Sequence, residues 1–474
     1  MSTAPIMPGV IDAVRAIREG ERTAVDLVQT SLAAVTRTNA RLNAFVHLDA
    51  ERALAAARAV DAEVSAGRAG ALGPLAGVPF GVKDLDDCAG MPTTRGSRWF
   101  QGQPPVATDD IHVARLRAAG AIPIGKTAVP EFGAFAYTAS PALGVTRNPW
   151  NLERTSGGSS GGSSAAVAAG VVPFCTASDG GGSIRTPAAF TGLVGLKCTY
   201  GRIPTLGMTH IAQNAVAGCL ATTVADVAYL LDIMAGPDAR DRTALPPPGL
   251  RYVDALRQLD PRGVRVAWSA DLGFAIVDPQ IERICAAAAR TLATACAATW
   301  IERPVQLQDY IRIYGRIEGV DQFVGIDPDL WRNRRAELDP LLAPGWLSAS
   351  NATLPKIAAV EAQRREFVGR IAEIFEDVDL LITPMIARTA FAAEGPMPTE
   401  LCGQEVHGGM AVIHGMLANL ANLPAISLPA GIASDGLPVG LQIIGPRYRE
   451  DLLLAVAQRF ERAQPWARHA PGFV

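Results

Sequence analysis

Two glycine–serine segments and one lysine are the residues of this chain whose types and spacing could do chemistry. The first segment is Thr155-Ser-Gly-Gly-Ser-Ser-Gly-Gly-Ser-Ser164. Its composition alone would suit a flexible linker, but small residues fit for a helix (Ser163 to Gly170) and an apolar strand (Val171 to Thr176) follow at once. The second segment is Asp179-Gly-Gly-Gly-Ser183-Ile-Arg185-Thr-Pro187. Three glycines ahead of a serine let the backbone approach a ligand closely and turn its N–H groups toward one point. That is how an oxyanion hole is built. The lysine is Lys83, which ends the apolar run Val78-Pro-Phe-Gly-Val82. A lysine at a strand end can simply reach solvent. If buried, it favours the uncharged amine, and a drop from ~10.4 to about 7–8 corresponds to roughly 3–5 kcal/mol. A neutral Lys83 can act as a base, with a hydroxyl of the serine-rich loop as proton relay to a nucleophile.

Two other motifs fail on context. Gly120-Ala-Ile-Pro-Ile-Gly125-Lys126-Thr127 matches the phosphate-loop pattern letter for letter. That loop must follow a strand and open a helix so that its N–H groups converge on phosphate. Here a helical segment precedes it, its interior favours an extended strand, and Pro123 removes a donor. Gly157-Gly-Ser-Ser-Gly161 matches the nucleophile elbow, which needs a strand directly before it; Asn148 to Ser156 reads instead as a polar loop. The six histidines (His47, His112, His210, His407, His414 and His469) sit in no dense polar motif. His414 lies in an apolar helical stretch and reads as a core residue. A histidine triad with distant partners stays open as the less favoured base.

The elements that must position these residues alternate. Thr23 with Asp26 caps a helix carrying Val25, Val28, Leu32 and Val35, and Asp49 to Ala66 is a second, Ala-rich helix. His112 to Gly120 is helical and Ala121 to Ile124 a strand; Pro130 to Arg154 holds no period and reads as a long loop. Thr223 with Asp226 caps a helix ended by Gly236, and Asp278-Pro279 opens another. Val264 to Trp268, Val378 to Ile382, Ala425 to Pro429 and Val439 to Ile444 are strands; Lys356 to Phe375 and Asp451 to Arg462 are helices. Alternation over the whole length predicts an α/β fold. Leu307 to Asn351 is weakly patterned but carries Tyr310, Tyr314, Phe323, Trp331 and Trp346, which can wall an apolar pocket or pack the core.

Composition narrows the function classes. The chain has 474 residues, 49% hydrophobic and 19% charged, so it can bury a large core. Forty-three basic against 46 acidic residues, with no charge run, argue against a nucleic-acid partner. The start of the chain lacks a basic segment followed by an apolar one, and no run reaches ~18 apolar residues, so neither a secretory signal nor a membrane helix is expected. Seven cysteines without CxxC spacing fit a reducing cytoplasm and argue against a zinc site or disulfide framework.

Taken together, Gly157-Gly-Ser-Ser-Gly-Gly-Ser-Ser-Ala165 and Asp179-Gly-Gly-Gly-Ser-Ile-Arg-Thr-Pro187 resemble the amidase signature family. Gly77-Val-Pro-Phe-Gly-Val-Lys-Asp84, Gly125-Lys-Thr127, Thr146-Arg-Asn-Pro-Trp150, Gly192-Leu-Val-Gly-Leu-Lys197 and Gly436-Leu-Pro-Val-Gly-Leu-Gln442 are similar to its other blocks. The resemblance spans nearly the whole chain, least at 307–351. It implies one domain over 1–474, a large twisted mixed sheet with helices on both sides, and 307–351 as a variable segment able to cover the pocket. It implies a Ser–cis-Ser–Lys triad in which Ser183 is the nucleophile, Ser159 the cis-peptide serine and Lys83 the base. Gly180, Gly181 and Gly182 fall on the oxyanion segment, and Ser160, Asp179 and Arg185 on supporting positions. Gly180 departs from the bulkier residue of many relatives, and Gly218-Cys-Leu220 from a common Gly-Pro. The implied reaction is amide hydrolysis through an acyl-enzyme, without metal or cofactor, on a small molecule, in a cytoplasmic monomer or homodimer. Carbamate (urethane) or ester hydrolysis would use the same triad. The amidase component of a tRNA-dependent amidotransferase complex is the alternative of a different kind.

Overall fold

Strand residues here are apolar on both faces, which is the pattern of a sheet covered on both sides. The computed structural model describes residues 7–208 and 211–473; the reading of Met1 to Ile6 and that of His210 lie outside the described residues. Eleven strands form one mixed sheet: β1 (Phe45–Leu48), β2 (Pro79–Lys83), β3 (Ile122–Thr127), β4 (Phe174–Asp179), β5 (Val194–Lys197), β6 (Val216–Ala221), β7 (Arg265–Trp268), β8 (Thr299–Trp300), β9 (Leu380–Pro384), β10 (Ala425–Ile432) and β11 (Pro438–Ile444). Their order is β1-β3-β2-β4-β6-β5-β10-β11-β9-β7-β8. The pairs β3/β2, β2/β4, β9/β7 and β7/β8 are parallel and the rest antiparallel.

Successive strand residues point to opposite faces, and the core divides accordingly. Val266, Leu380, Ile382 and Ile443 join one buried cluster, while Ala267, Leu381 and Ile444 join another. Helices cover both. The α/β sheet predicted from the alternation is therefore present.

Several boundaries differ from the sequence reading. Arg147–Asn148 and Asn151–Thr155 pair as a small ribbon inside the expected 130–154 loop, and Ala139–Ser140 pairs with Gly144–Val145. The strands are too short and polar to show a period. A strand thus does precede Ser156, contrary to the polar-loop expectation, although it lies outside the large sheet. The strand expected at Val378 to Ile382 instead spans Leu380–Pro384. Segment 307–351 is mostly helical, with helices Ile311–Val324, Pro328–Arg334 and Ala343–Ser350. Its glycines and scattered aromatics mask the helical repeat. Lys126 sits in β3 as a fully buried side chain, donating to the Asp86 carbonyl (2.6 Å) and Thr93 Oγ1 (2.8 Å). The phosphate-loop match is therefore a strand.

Glycine decides how closely the serine-rich segment docks. Helix Gly161–Ala168 lies against the end of β3, and a Cβ added at Gly162 would fall 2.2 Å from Ala128 N and 2.6 Å from Ala44 O. Backbone atoms cannot move aside as a side chain can. Gly162→Ala is expected to destabilise the protein by ~1–3 kcal/mol. Exposed Gly369, in helix Leu354–Asp377, has open space beside it, and Gly369→Ala should stabilise by ~0.5–1 kcal/mol. Urea unfolding midpoints of the two variants check this contrast.

Candidate active site

Parallel pairing brings the chemistry to one sheet edge. Strands β2 and β4 align Phe80 with Phe174 and Gly81 with Cys175, and the two phenylalanine rings stack at 5.0 Å. Both strands then end on the same side, β2 in Lys83 and β4 in Ser178 and Asp179. Gly81 permits the approach, since a Cβ there would meet Cys175 Sγ at 2.7 Å and Thr127 Cγ2 at 2.8 Å.

The Lys83 side chain is fully buried. Its Nζ lies 2.8 Å from Ser159 Oγ, 2.8 Å from Ser160 Oγ and 2.9 Å from Ser178 Oγ. An ammonium would fill these three sites with its three N–H donors; a neutral amine has two donors and a lone pair that accepts from one hydroxyl. Burial drives the amine down to about 7, against the opposing pull of Asp86 and Asp179. The Gly158–Ser159 peptide is cis. Gly133 packs at this serine, and a Cβ there would lie 3.2 Å from Ser159 Oγ.

Ser183 follows β4 in a turn braced by Asp179. The Asp179 carboxylate accepts from Gly182 N (2.7 Å) and Ile184 N (3.1 Å) and is gripped by Arg185 Nη2 (2.8 Å) and Nε (2.9 Å). Burial alone would raise this carboxyl, but Arg185 outweighs it and holds the group well below the usual range. The Gly182 N–H is thus committed to Asp179. Of the three glycines expected on the oxyanion segment, Gly182 is the one whose N–H is bonded to Asp179. Gly180, Gly181 and Ser183 are half-buried and Gly182 is buried, so the turn is only partly open to solvent.

Several residues here were missed in the sequence. Arg185 also donates to Gln442 Oε1 (2.5 Å), Asn419 Oδ1 (2.7 Å) and the Gly415 carbonyl (2.8 Å). Asn419 Nδ2 returns a bond to the Asp179 carbonyl (2.8 Å). Behind Lys83, its own N–H donates to Thr176 Oγ1, which donates to Asp86 Oδ2 (2.8 and 2.7 Å). His112 Nε2 stands 3.3 Å from the same carboxylate oxygen. This histidine therefore does belong to a polar cluster, contrary to the sequence reading; its partner lies 26 positions upstream, too far for a local motif to show it. Burial opposes its charge, but Asp86 outweighs burial and raises it. His414 is a core residue as read, bonded to the Ala270 carbonyl at 2.8 Å and pushed down to about 4 by burial. A cleft of about 190 Å³ opens beside Ser178, lined also by Phe132, Gln322 and Trp346. Of the aromatics at 307–351, Trp346 lines this cleft, whereas Tyr310 is buried against Phe274 and Phe367.

The depressed Lys83 pKa has a sign that stability measurements read. Between about 7 and the unfolded value near 10.4 the unfolded chain holds the extra proton, so stability rises with pH in that window. Below it both states are protonated and the buried charge costs its full amount. Relative to Lys83→Met, the wild type should gain up to ~1.4 kcal/mol per pH unit through this window. Paired urea titrations from pH 6 to 9.5 check it, and a pH-independent difference would contradict it.

The chain matches the family model for amidases over residues 26–454. It is 36% identical to an acylamidase of Rhodococcus erythropolis, covering 94% of this chain and 93% of that protein. It is equally 36% identical to a glutamyl-tRNA(Gln) amidotransferase subunit of Chloroflexus aggregans, covering 96% of each. Among solved structures, a bacterial aryl acylamidase of the amidase signature family superposes with a TM-score of 0.90 at 27% identity, over 97% of both chains. The 6-aminohexanoate cyclic dimer hydrolase superposes at 0.87 and 30% identity, over 99% of both. On its sequence, its fold and these relatives, the chain belongs to the amidase signature family, the hydrolases of carbon–nitrogen bonds.

Proposed function

We propose that the protein is a stand-alone amide hydrolase working through an acyl-enzyme on Ser183. The observation that carries this reading is the buried Lys83 amine within 2.8 Å of Ser159 Oγ, beside the turn that presents Ser183. Neutral Lys83 takes the proton of Ser159, which takes that of Ser183. The Ser183 oxygen bonds to the carbonyl carbon, and the N–H groups of Gly180, Gly181 and Ser183 receive the oxyanion. As the carbon–nitrogen bond breaks, the relay returns the proton to the leaving amine. Water then enters by the same relay, the acyl–oxygen bond breaks, and the acid leaves with Ser183 restored.

In this reading Ser160 and Ser178 hold the Lys83 amine in place, and Asp179 and Arg185 fix the turn. Segment 307–351 covers the cleft through Gln322 and Trp346. The substrate is a small amide, with carbamates and esters open to the same acyl chemistry. The enzyme needs no metal or cofactor and works as a cytoplasmic monomer or homodimer, away from nucleic acid and membrane. Among the described residues no helix is long and apolar enough to cross a membrane. The amidotransferase reading draws on the equal likeness to the Chloroflexus protein; a glutaminase assay with size-exclusion chromatography separates it from the first.

Ser183→Ala should abolish turnover of a chromogenic anilide, by at least about 10³-fold, while circular dichroism stays native. The wild-type rate should rise with pH around 7, because the base must be neutral. Lys83→Arg should be inactive throughout, since a guanidinium does not deprotonate there. A near-native Lys83→Arg rate with an unchanged pH profile would remove Lys83 from the base role.

A further inference from the structure

Helix Ile311–Val324 places two polar side chains over the turn that carries Ser183, and the catalytic relay uses neither. Tyr314 and Glu318 stand four residues apart and so share one helix face. A Cβ added at Gly181 would fall 2.1 Å from the Tyr314 hydroxyl. One added at Gly180 would fall 3.6 and 3.8 Å from the two carboxylate oxygens of Glu318. Because Gly180 carries no side chain, the Glu318 carboxylate looks directly onto the backbone beside the nucleophile.

The charge of that carboxylate is poorly balanced. Asn214 Nδ2 donates to Oε2 at 2.8 Å and Gln322 Nε2 to Oε1 at 3.0 Å, both neutral amides. Among the described residues no lysine or arginine forms an ion pair with Glu318. Burial raises its carboxyl to about 7, and Asp321 adds to the rise. Glu318 and Tyr314 are half-buried, as are Gly180, Gly181 and Ser183, so each of these residues keeps part of its surface open to solvent. Gln322 also lines the cleft beside Ser178. A carboxylate with spare lone pairs and an aromatic ring one turn away is a setting that attracts an organic cation.

We propose that Glu318 and Tyr314 form a subsite for an ammonium group on the substrate's acyl chain, so that this enzyme prefers short amino-acyl amides to neutral ones. The inference rests on the acyl-enzyme reading at Ser183. Three residues from Gly180 to Ser183 span at most roughly 10 Å, so the amine sits a few bonds from the scissile carbonyl. The ammonium supplies the counter-charge that the protein leaves out.

The test compares 4-aminobutanoyl and pentanoyl 4-nitroanilides at about pH 8; they differ only in an ammonium in place of a methyl. Wild-type kcat/KM should favour the ammonium substrate by about tenfold or more. Glu318→Gln, which keeps shape and polarity, should erase that preference by lowering turnover of the ammonium substrate. Wild-type preference for pentanoyl, or a ratio that Glu318→Gln leaves intact, would overturn the proposal. A second arm needs no turnover: calorimetry of 4-aminobutanamide and pentanamide on Ser183→Ala, with and without Glu318→Gln. Tighter binding of the amine, lost with Glu318, supports the subsite even if neither anilide is cleaved, in which case only the hydrolase reading falls. Equal binding of the two amides overturns the subsite, while hydrolysis of both anilides would leave the hydrolase reading standing.

Discussion

Removal of one amine from water is the constraint on which the site depends. Lysine is the residue type for which burial and reactivity coincide, because desolvation penalises the ammonium and leaves a base. Asp86 and Asp179 oppose that shift, yet burial prevails. The three hydroxyls of Ser159, Ser160 and Ser178 satisfy the Lys83 amine without bringing a carboxylate into contact with it. A carboxylate at that distance would hold the proton on lysine; hydroxyls leave it free to move.

The large sheet exists, from the site's point of view, to keep that amine dry and its partners in register. Parallel β2 and β4 set Lys83 beside Ser178, and the glycine-tolerant contact of helix Gly161–Ala168 with β3 seats Ser159 and Ser160. Charge is then handled separately. The buried Asp179–Arg185 pair is costly to desolvate, and the structure offsets that with bonds from Arg185 to Gln442, Asn419 and Gly415 and from two N–H groups of the nucleophile turn to Asp179. Fixing the turn and satisfying the pair are the same set of bonds. Asp86 with His112 forms a second buried pair, joined through Thr176 to the Lys83 backbone.

What could be read from the sequence follows from which signals are local. Lys83 at a strand end, the serine-rich loop and the glycines before Ser183 are each contiguous, so their chemistry showed. The strands of the core carry long apolar runs, so the α/β alternation showed as well. Gln442, Asn419 and His112 act through contacts between distant segments; Gln442 closes a block that resembles the family, but nothing local marks its bond to Arg185. The ribbon at Arg147–Thr155 and the helices of 307–351 were hidden for a different reason: short polar strands and glycine-broken helices lack the period that pattern reading needs. The bond from the Gly182 N–H to Asp179 is likewise a contact that sequence spacing does not reveal.

The ionisation of Lys83 itself is the most direct measure of this account. The chain has only four lysines, Lys83, Lys126, Lys197 and Lys356, so protein labelled with 13C at lysine Cε gives few resonances. Lys83→Met identifies the one that belongs to the site. This resonance should titrate near pH 7, well below the ~10.4 of a free lysine. A Lys83 resonance that stays in its protonated position through pH 9 would contradict it.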